Sequence, residues 1–181
     1  MEEALLRALR QGSPEAFAAL VAREGPAVYR YLRRMTGNHE DAADLTQEVF
    51  VRAYRGLARF EGRSGLRTWL LRIATNAYLD QRARLNRQAL PLDAVASWAD
   101  SPDHGPESVA ERREWVARVE EAIRALPPRQ RAALVLRLYG GHTYAEVADI
   151  LGCAEGTVKA SVFAALARLR ARLGPLREGS R

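Results

Sequence analysis

The strongest local folding signal in this chain is the segment TYAEVADILGCAEGTVKASV, residues 143–162. Thr143 and Glu146 form the pattern of a capping box, in which the threonine accepts a hydrogen bond from a free amide and the glutamate reaches back to the cap. AEVADIL then supplies about two helical turns, and Gly152 permits a sharp turn before EGTV begins the next helix. Because cap, spacing, glycine and apolar period agree, the sequence predicts a helix-turn-helix.

Apolar residues recur at spacings of three and four along the remaining chain and strand signals are nearly absent, so we expect an all-α fold. Ser13 before Pro14 is typical of a helix start. Gly25 and Pro26 are expected to separate two helices, and Gly37 to end the second of them. Two apolar stripes are expected to be buried, one formed by Ala42, Leu45, Val49 and Tyr54 and the other by Leu66, Trp69, Leu70, Ile73, Ala77 and Tyr78.

The segment 89–106 divides the helical pattern, because it combines proline, aspartate and small residues without a lasting helical period. That composition is typical of a flexible linker. We therefore expect two small helical domains. The first spans residues 1–88, and the second, which contains the helix-turn-helix, spans 107–181.

Charge is unevenly distributed, although the net charge is +6 and the pI is near 10.1. Residues 59–90 carry seven basic and two acidic side chains, and residues 122–181 carry ten and four. The intervening residues 91–121 carry three and eight. Two basic blocks flanking an acidic bridge indicate a polyanionic partner, since arginines attract phosphates irrespective of nucleotide sequence.

Several classes of function lack their signatures in this chain. It has no nucleophile elbow and no glycine loop of the phosphate-cradling kind, so we expect no catalytic residue and no cofactor. The three histidines follow no metal-ligand spacing, and Cys153 is a lone cysteine, so no metal is expected. There is neither an apolar run of about 18 residues nor a secretory leader, so we expect a cytoplasmic protein without membrane insertion.

Three segments, in this order, resemble the extracytoplasmic-function group of bacterial RNA polymerase sigma factors. They are DAADLTQEVFVRAY, FEGRSGLRTWLLRIATNAYLDQRAR and LPPRQRAALVLRLYGGHTYAEVADILGCAEGTVKAS. The resemblance implies a transcription initiation factor that binds core RNA polymerase, recognises promoter DNA and captures the melted non-template strand. It also implies an anti-sigma factor as a further partner.

The resemblance implies a role for each segment: polymerase docking for the first, binding of the downstream promoter element and melted strand for the second, and upstream DNA binding for the third. The docking set is Asp41, Asp44, Leu45, Gln47 and Glu48. The strand-binding set is Phe60, Glu61, Arg63, Ser64, Arg67, Asn76, Asp80, Arg82 and Arg84. The helix-turn-helix set is Arg129, Arg131, Thr143, Tyr144, Thr157, Lys159 and Ser161.

Some assignments stay open at this level. Phe60 fits either the core or a base pocket, whereas Trp69 lies on the apolar stripe and is expected in the core. The final helix carries alanine and Phe163 where the family commonly has basic residues. That face would contact thymine methyl groups or pack against a protein helix, or the second domain would merely hold the polymerase flap while the first domain carries specificity. A sigma-like or dimeric helix-turn-helix regulator without initiation activity is the alternative function.

Overall fold

A computed structural model describes residues 2–62, 64–88 and 107–174, and these residues form eight α-helices and one 3₁₀ turn with no strand. The expected all-α fold is confirmed. Arg63 and the expected linker, 89–106, lie outside the described residues. The helices are α1 Glu2–Arg10, α2 Pro14–Thr36, α3 His39–Gly56, α4 Leu66–Gln88, α5 Glu107–Arg124, α6 Pro128–Leu138, α7 Tyr144–Leu151 and α8 Glu155–Leu173, with the 3₁₀ turn η1 at Leu57–Arg59. Helices α1–α4 form the N-terminal domain and α5–α8 the C-terminal domain.

The expected break at Gly25 and Pro26 is wrong, because α2 runs through both residues as one helix of 23 residues. Proline inside a helix removes one hydrogen bond and crowds the preceding turn, at a cost of roughly 3 kcal/mol. Here Leu20 lies before the proline and Leu32 after it, and both are fully buried in the same core. Burial on both sides stabilises the helix more than the proline weakens it, since tertiary packing supplies most helix stability.

The N-terminal core forms between α2, α3 and α4. The side chain of Ser13 accepts from the Ala16 amide at 3.2 Å, which confirms the expected start of α2. On α3, however, Tyr54 is 52% exposed, and the buried stripe continues from Val49 to Ala53 instead. Side chains four positions apart lie on the same face of a helix, whereas side chains five positions apart do not. Tyr54 follows Val49 by five positions and is therefore turned out of the core.

The predicted helix-turn-helix is present in α7 and α8. Thr143 Oγ1 accepts from the Glu146 amide at 3.2 Å, and Glu146 Oε2 accepts from the Thr143 amide at 2.7 Å, which completes the capping box. Gly152 ends α7 with a φ of +62°, a conformation that favours glycine. The axes of α7 and α8 are bent by 99° relative to each other.

No single helix among the described residues is long and apolar enough to span a membrane.

The two domains pack against each other, with α6 lying on α2 and α4, and α7 lying on α4. Gly37 ends α2 with a φ of +77° and is itself buried. The side chain of Arg124, from α5, crosses directly over it. A Cβ atom added at Gly37 would lie 2.5 Å from Arg124 Cδ. The need for glycine at the end of α2 therefore comes both from its backbone conformation and from the Arg124 side chain of the opposite domain.

Candidate functional site

The first turns of α3 present an acidic exposed face. Asn38 caps the helix by accepting from the Glu40 amide at 2.8 Å, and the acidic side chains of this turn are favourable at the positive end of the helix dipole. Asp41, Asp44 and Gln47 are exposed, and they follow one another at three-residue spacing. This face is suited to a basic partner surface.

One member of the predicted docking set does not reach this face. Leu45 is buried in the N-terminal core, so its assignment as a contact residue is corrected to a packing role. Val51 and Tyr54 are the exposed apolar side chains of α3. With Phe17 on α2 they border a groove of about 570 Å³ that also reaches Gln47. The i, i+4 spacing of Gln47 and Val51 is the signal that would have predicted this neighbour.

The outer face of α4 carries Arg72, Asn76 and Asp80, all exposed and four residues apart. Asp80 Oδ2 accepts from Arg52 Nη1 at 3.0 Å, and Arg52 Nη2 donates to Glu48 at 2.6 Å. Partial burial lowers the pKa of Arg52, but its hydrogen bonds to Asp80 and Glu48 outweigh that effect, so the pKa is raised. Arg52 thus bridges the predicted docking and strand-binding residues. Arg72 was absent from the predicted set, although its spacing to Asn76 signals a shared face.

The loop before α4 contains the aromatic residue whose role was left open. Phe60 is 6% exposed and packs on Trp69 with ring centroids 4.8 Å apart, so it belongs to the core and not to an open base pocket. Trp69 is half-buried against that core, as expected. Arg10 Nε donates to the Phe60 carbonyl at 3.1 Å, which ties the loop to α1. Glu61 is exposed and Ser64 half-buried beyond this anchor.

The arginines of the strand-binding set differ in their availability. Arg67 Nε donates to the buried Glu24 carboxylate at 2.8 Å, although much of the Arg67 side chain stays exposed. Arg82 is half-buried, while Arg84 is exposed. Arg84 and Arg72 are therefore more open to solvent than Arg82 on α4.

Apart from Arg131, the helix-turn-helix set lies at or near the starts of α6, α7 and α8. Thr157 and Arg129 are exposed and Ser161 is half-buried. Lys159 pairs with Glu155 at 2.7 Å, and this hydrogen bond raises the pKa of Lys159. The Lys159 ammonium also lies 5.6 Å from the ring centre of Tyr144. These side chains offer polar contacts for phosphates at a helix start, where backbone amides add to the attraction.

The outward face of α8 beyond this point is apolar. Ala160 and Ala167 are exposed, and Phe163 between them is 74% exposed. Alanine and phenylalanine present no donors or acceptors to a base edge. Any readout by this face is therefore by apolar contact.

Arg131 does not lie on the helix-turn-helix surface, contrary to the prediction. It is 5% exposed, and its guanidinium is inserted between the two domains. Its Nη1 donates to the Met35 carbonyl at 2.5 Å and to Tyr78 Oη at 2.8 Å. In this arrangement Arg131 cannot contact a phosphate, since partners 96 and 53 residues away in sequence occupy it.

Comparison with known proteins identifies the chain. The Sigma-70 region 2 family matches residues 20–88, and the Sigma-70, region 4 family matches residues 117–169. Over 97% of its length the chain is 32% identical to the RNA polymerase sigma-H factor of Pseudomonas aeruginosa, of which it covers 95%. The chain belongs to the ECF RNA polymerase sigma factors. This sigma factor is also 31% identical to the ECF sigma-E factor of Escherichia coli over 97% of the chain and 95% of that protein.

Solved structures agree with this assignment. The sigma factor resembles CnrH, solved in complex with the cytosolic domain of CnrY, with a TM-score of 0.68, 28% identity and coverage of 94% of this chain and 95% of that chain. It resembles the Bartonella quintana sigma factor RpoE, solved with the anti-sigma factor NepR, with a TM-score of 0.68, 26% identity and coverage of 89% and 98%. The protein is therefore a transcription initiation factor and not an enzyme.

Within this sigma factor, Thr143 is expected to act on the stability of the helix-turn-helix. Replacing Thr143 by alanine removes the side-chain acceptor of the capping box and should lower the free energy of unfolding by about 1 kcal/mol. Thr143→Ser keeps the hydroxyl and is the matched control. Chemical denaturation of both variants measures the difference, and equal losses in the two would contradict a capping role.

Proposed function

We propose that this sigma factor docks on core RNA polymerase through the acidic face of α3, captures unpaired promoter bases on α4, and holds upstream duplex DNA with α7 and α8. The observation that carries this division is the packing of α3 on α4, with Arg52 joining Glu48 to Asp80. Once α3 is fixed on the polymerase, the same helix pair presents Asn76 and Asp80 to the strand. The protein acts in the cytoplasm.

Run-off transcription tests the proposal directly. Purified core polymerase is supplied with DNA from the source genome, with and without the chain, and specific start sites are expected only with it. No specific start, together with no polymerase subunit among the binding partners, would favour the regulator without initiation activity. Binding of a dimer to a palindromic site would identify the dimeric form of that alternative.

Strand capture divides into sequence-independent attraction and base recognition. Arg72 and Arg84 supply the attraction, since each phosphate they neutralise releases counterions. Asn76 offers both donors and acceptors to an unstacked base, and the Asp80 carboxylate offers acceptors. Because Asp80 is negatively charged, it needs a nearby cation if it is not to repel the strand. Arg52 supplies that cation from α3.

Replacing Arg52 by glutamine is expected to weaken capture of the melted strand about threefold to fivefold, because Asp80 loses its charge partner and its orientation. Arg52→Lys keeps the charge and should retain most of the affinity. The measurement is fluorescence anisotropy of fork-junction promoter DNA with saturating core polymerase present, so that changes in docking through Glu48 do not contribute. Equal affinity of the glutamine variant and the wild type would refute a positioning role for Arg52.

Three alternatives remain for the apolar face of α8. It contacts thymine methyl groups, it packs against a protein helix, or it has no contact of its own and the domain only holds the polymerase flap. Replacing each thymine of the upstream promoter element by uracil removes only the C5 methyl group. If Phe163 contacts a methyl, this change and Phe163→Ala should each weaken holoenzyme binding about 5-fold, and combining them should add little. Binding insensitive to uracil would assign the face to a protein partner or leave it without a reading role.

An anti-sigma factor is the expected regulatory partner. The Bartonella quintana relative was solved bound to one, and this chain matches that structure over 89% of its length. A polypeptide that copurifies with the chain from the source organism and blocks run-off transcription would meet this expectation. A copurifying protein that leaves transcription unchanged would not.

A further inference from the structure

Arg131 is bound from both domains at once. From the N-terminal domain, the Met35 carbonyl at the end of α2 and the Tyr78 hydroxyl on α4 accept from Nη1 at 2.5 and 2.8 Å. From its own domain, the Arg124 carbonyl and, at 3.3 Å, the Leu126 carbonyl accept from Nη2. One guanidinium therefore connects two helices of one domain to the α5–α6 corner of the other.

The charge of Arg131 has no carboxylate partner among the described residues. All four acceptors are uncharged oxygens, and Nε lacks a hydrogen-bond partner in that part of the chain. Burial lowers the pKa of Arg131, as do the nearby cations of Arg82 and Arg124, while Tyr78 acts in the opposite direction. The Met35 carbonyl compensates in part, because it lies at the negative end of the α2 dipole.

A buried cation held only by neutral oxygens is open to competition. A phosphate offers a full negative charge and accepts from a guanidinium in bidentate geometry, which neither Met35 nor Tyr78 provides. Opening of the domain contact would return Arg131 to water or to such an anion.

Other contacts of the interface cover part of the proposed DNA-binding surface on α4. Arg72 and Asn76 line one side of a cleft of about 430 Å³ whose other side is the end of α7 and the turn after it. A base that approaches Asn76 has to share this cleft with α7. At the outer edge, Arg34 of α2 lies 4.6 Å from the ring centre of Tyr139, which follows α6. Closure therefore covers part of the α4 face as well as sequestering Arg131.

We propose that the free sigma factor rests in this closed arrangement, clasped by Arg131, and that the phosphates of duplex DNA open it by replacing Met35 and Tyr78 as acceptors. The identity of the opening ligand rests on the proposed DNA-binding function, whereas the closed resting form does not. The clasp lowers the apparent affinity for DNA to the intrinsic affinity multiplied by the fraction of molecules that are open. A variant that weakens the clasp without removing Arg131 therefore binds DNA more tightly than the wild type.

Two variants of the full chain separate the clasp from the phosphate contact. Tyr78→Phe removes one acceptor, keeps the buried ring and leaves Arg131 in place, so it should open the protein and tighten binding of a nonspecific duplex about tenfold. Arg131→Gln should also open it, but without tighter binding, because the phosphate contact is lost. Arg112→Gln, at an exposed arginine on α5 of the same domain, is the matched control and should leave both the closed form and the affinity for duplex unchanged.

Small-angle scattering of each free variant measures its radius of gyration, and circular dichroism checks that both domains stay helical. An expanded wild type, or a wild type and Tyr78→Phe of equal size and equal affinity for duplex, would overturn the clasp. A compact wild type that core polymerase expands and duplex DNA does not would overturn phosphate as the opening ligand. Run-off transcription is scored separately, so a closed, DNA-opened chain that fails to initiate would refute the proposed function and not the clasp.

Discussion

Replacing Asp41 and Asp44 together by lysine is expected to weaken association with core RNA polymerase about 100-fold while leaving the fold intact. Both carboxylates are exposed on the face of α3 proposed for docking. Their reversal places like charges against a basic partner, which costs several kcal/mol, and about 1.4 kcal/mol corresponds to a tenfold change in affinity. Competition with labelled wild-type chain for core polymerase, followed by fluorescence, measures the effect.

The matched control for this variant changes the same number of charges elsewhere. Glu3 on α1 and Glu114 on α5 are also exposed acids, and their joint replacement by lysine alters net charge equally without touching α3. We expect near wild-type association for this control. If both double variants lose the same affinity, the effect is one of overall charge, and the α3 face has no special part in docking.

Replacing Leu70 by alanine is expected to lower the free energy of unfolding of the N-terminal domain by about 2 to 5 kcal/mol. Leu70 is fully buried in the second turn of α4, so the smaller side chain leaves a cavity as well as losing apolar burial. For a domain of this size each kcal/mol corresponds to roughly 4 to 8 °C in Tm. Thermal unfolding followed by circular dichroism should therefore show a fall of roughly 10 °C or more.

Leu85 offers a control within the same helix, since it is 47% exposed near the end of α4. Leu85→Ala changes the same atoms and the same helix propensity without opening a cavity. We expect it to stay within about 0.5 kcal/mol of the wild type, as exposed substitutions usually do. A comparable loss at both positions would mean that Leu70 is not part of a close-packed core.

Features set by neighbours in sequence were predictable from sequence. The capping box of Thr143 and Glu146, the turn at Gly152 and the helix start at Ser13 each depend on residues three or four positions apart, and each is present. The continuation of α2 through Pro26 was not predictable, because the burial that stabilises this helix comes from α3 and α4 rather than from the adjoining residues. Glycine and proline in the sequence predict a break in a helix, but packing against distant parts of the chain can keep the helix continuous.

The same distinction applies to the candidate site. Asp44 and Asn76, which the resemblance assigned to docking and strand binding, are both exposed. The partners of Arg67 and Arg131 were not predictable, since Glu24 and Met35 lie 43 and 96 residues away. The sequence shows that a residue is a cationic arginine, but it does not show which distant acceptor binds its guanidinium. Phe60 is a similar case, because its burial depends on Trp69 and on the Arg10 bond to its carbonyl.

Gly37 illustrates how a single missing side chain can serve two purposes. Its backbone conformation alone disfavours any other residue, and the space where a side chain would sit is already filled by Arg124 from the opposite domain. A mutation there would strain the end of α2 and displace the Arg124 side chain in the same event. A side chain at position 37 is thus disfavoured twice, by the backbone of its own helix and by an arginine from the other domain.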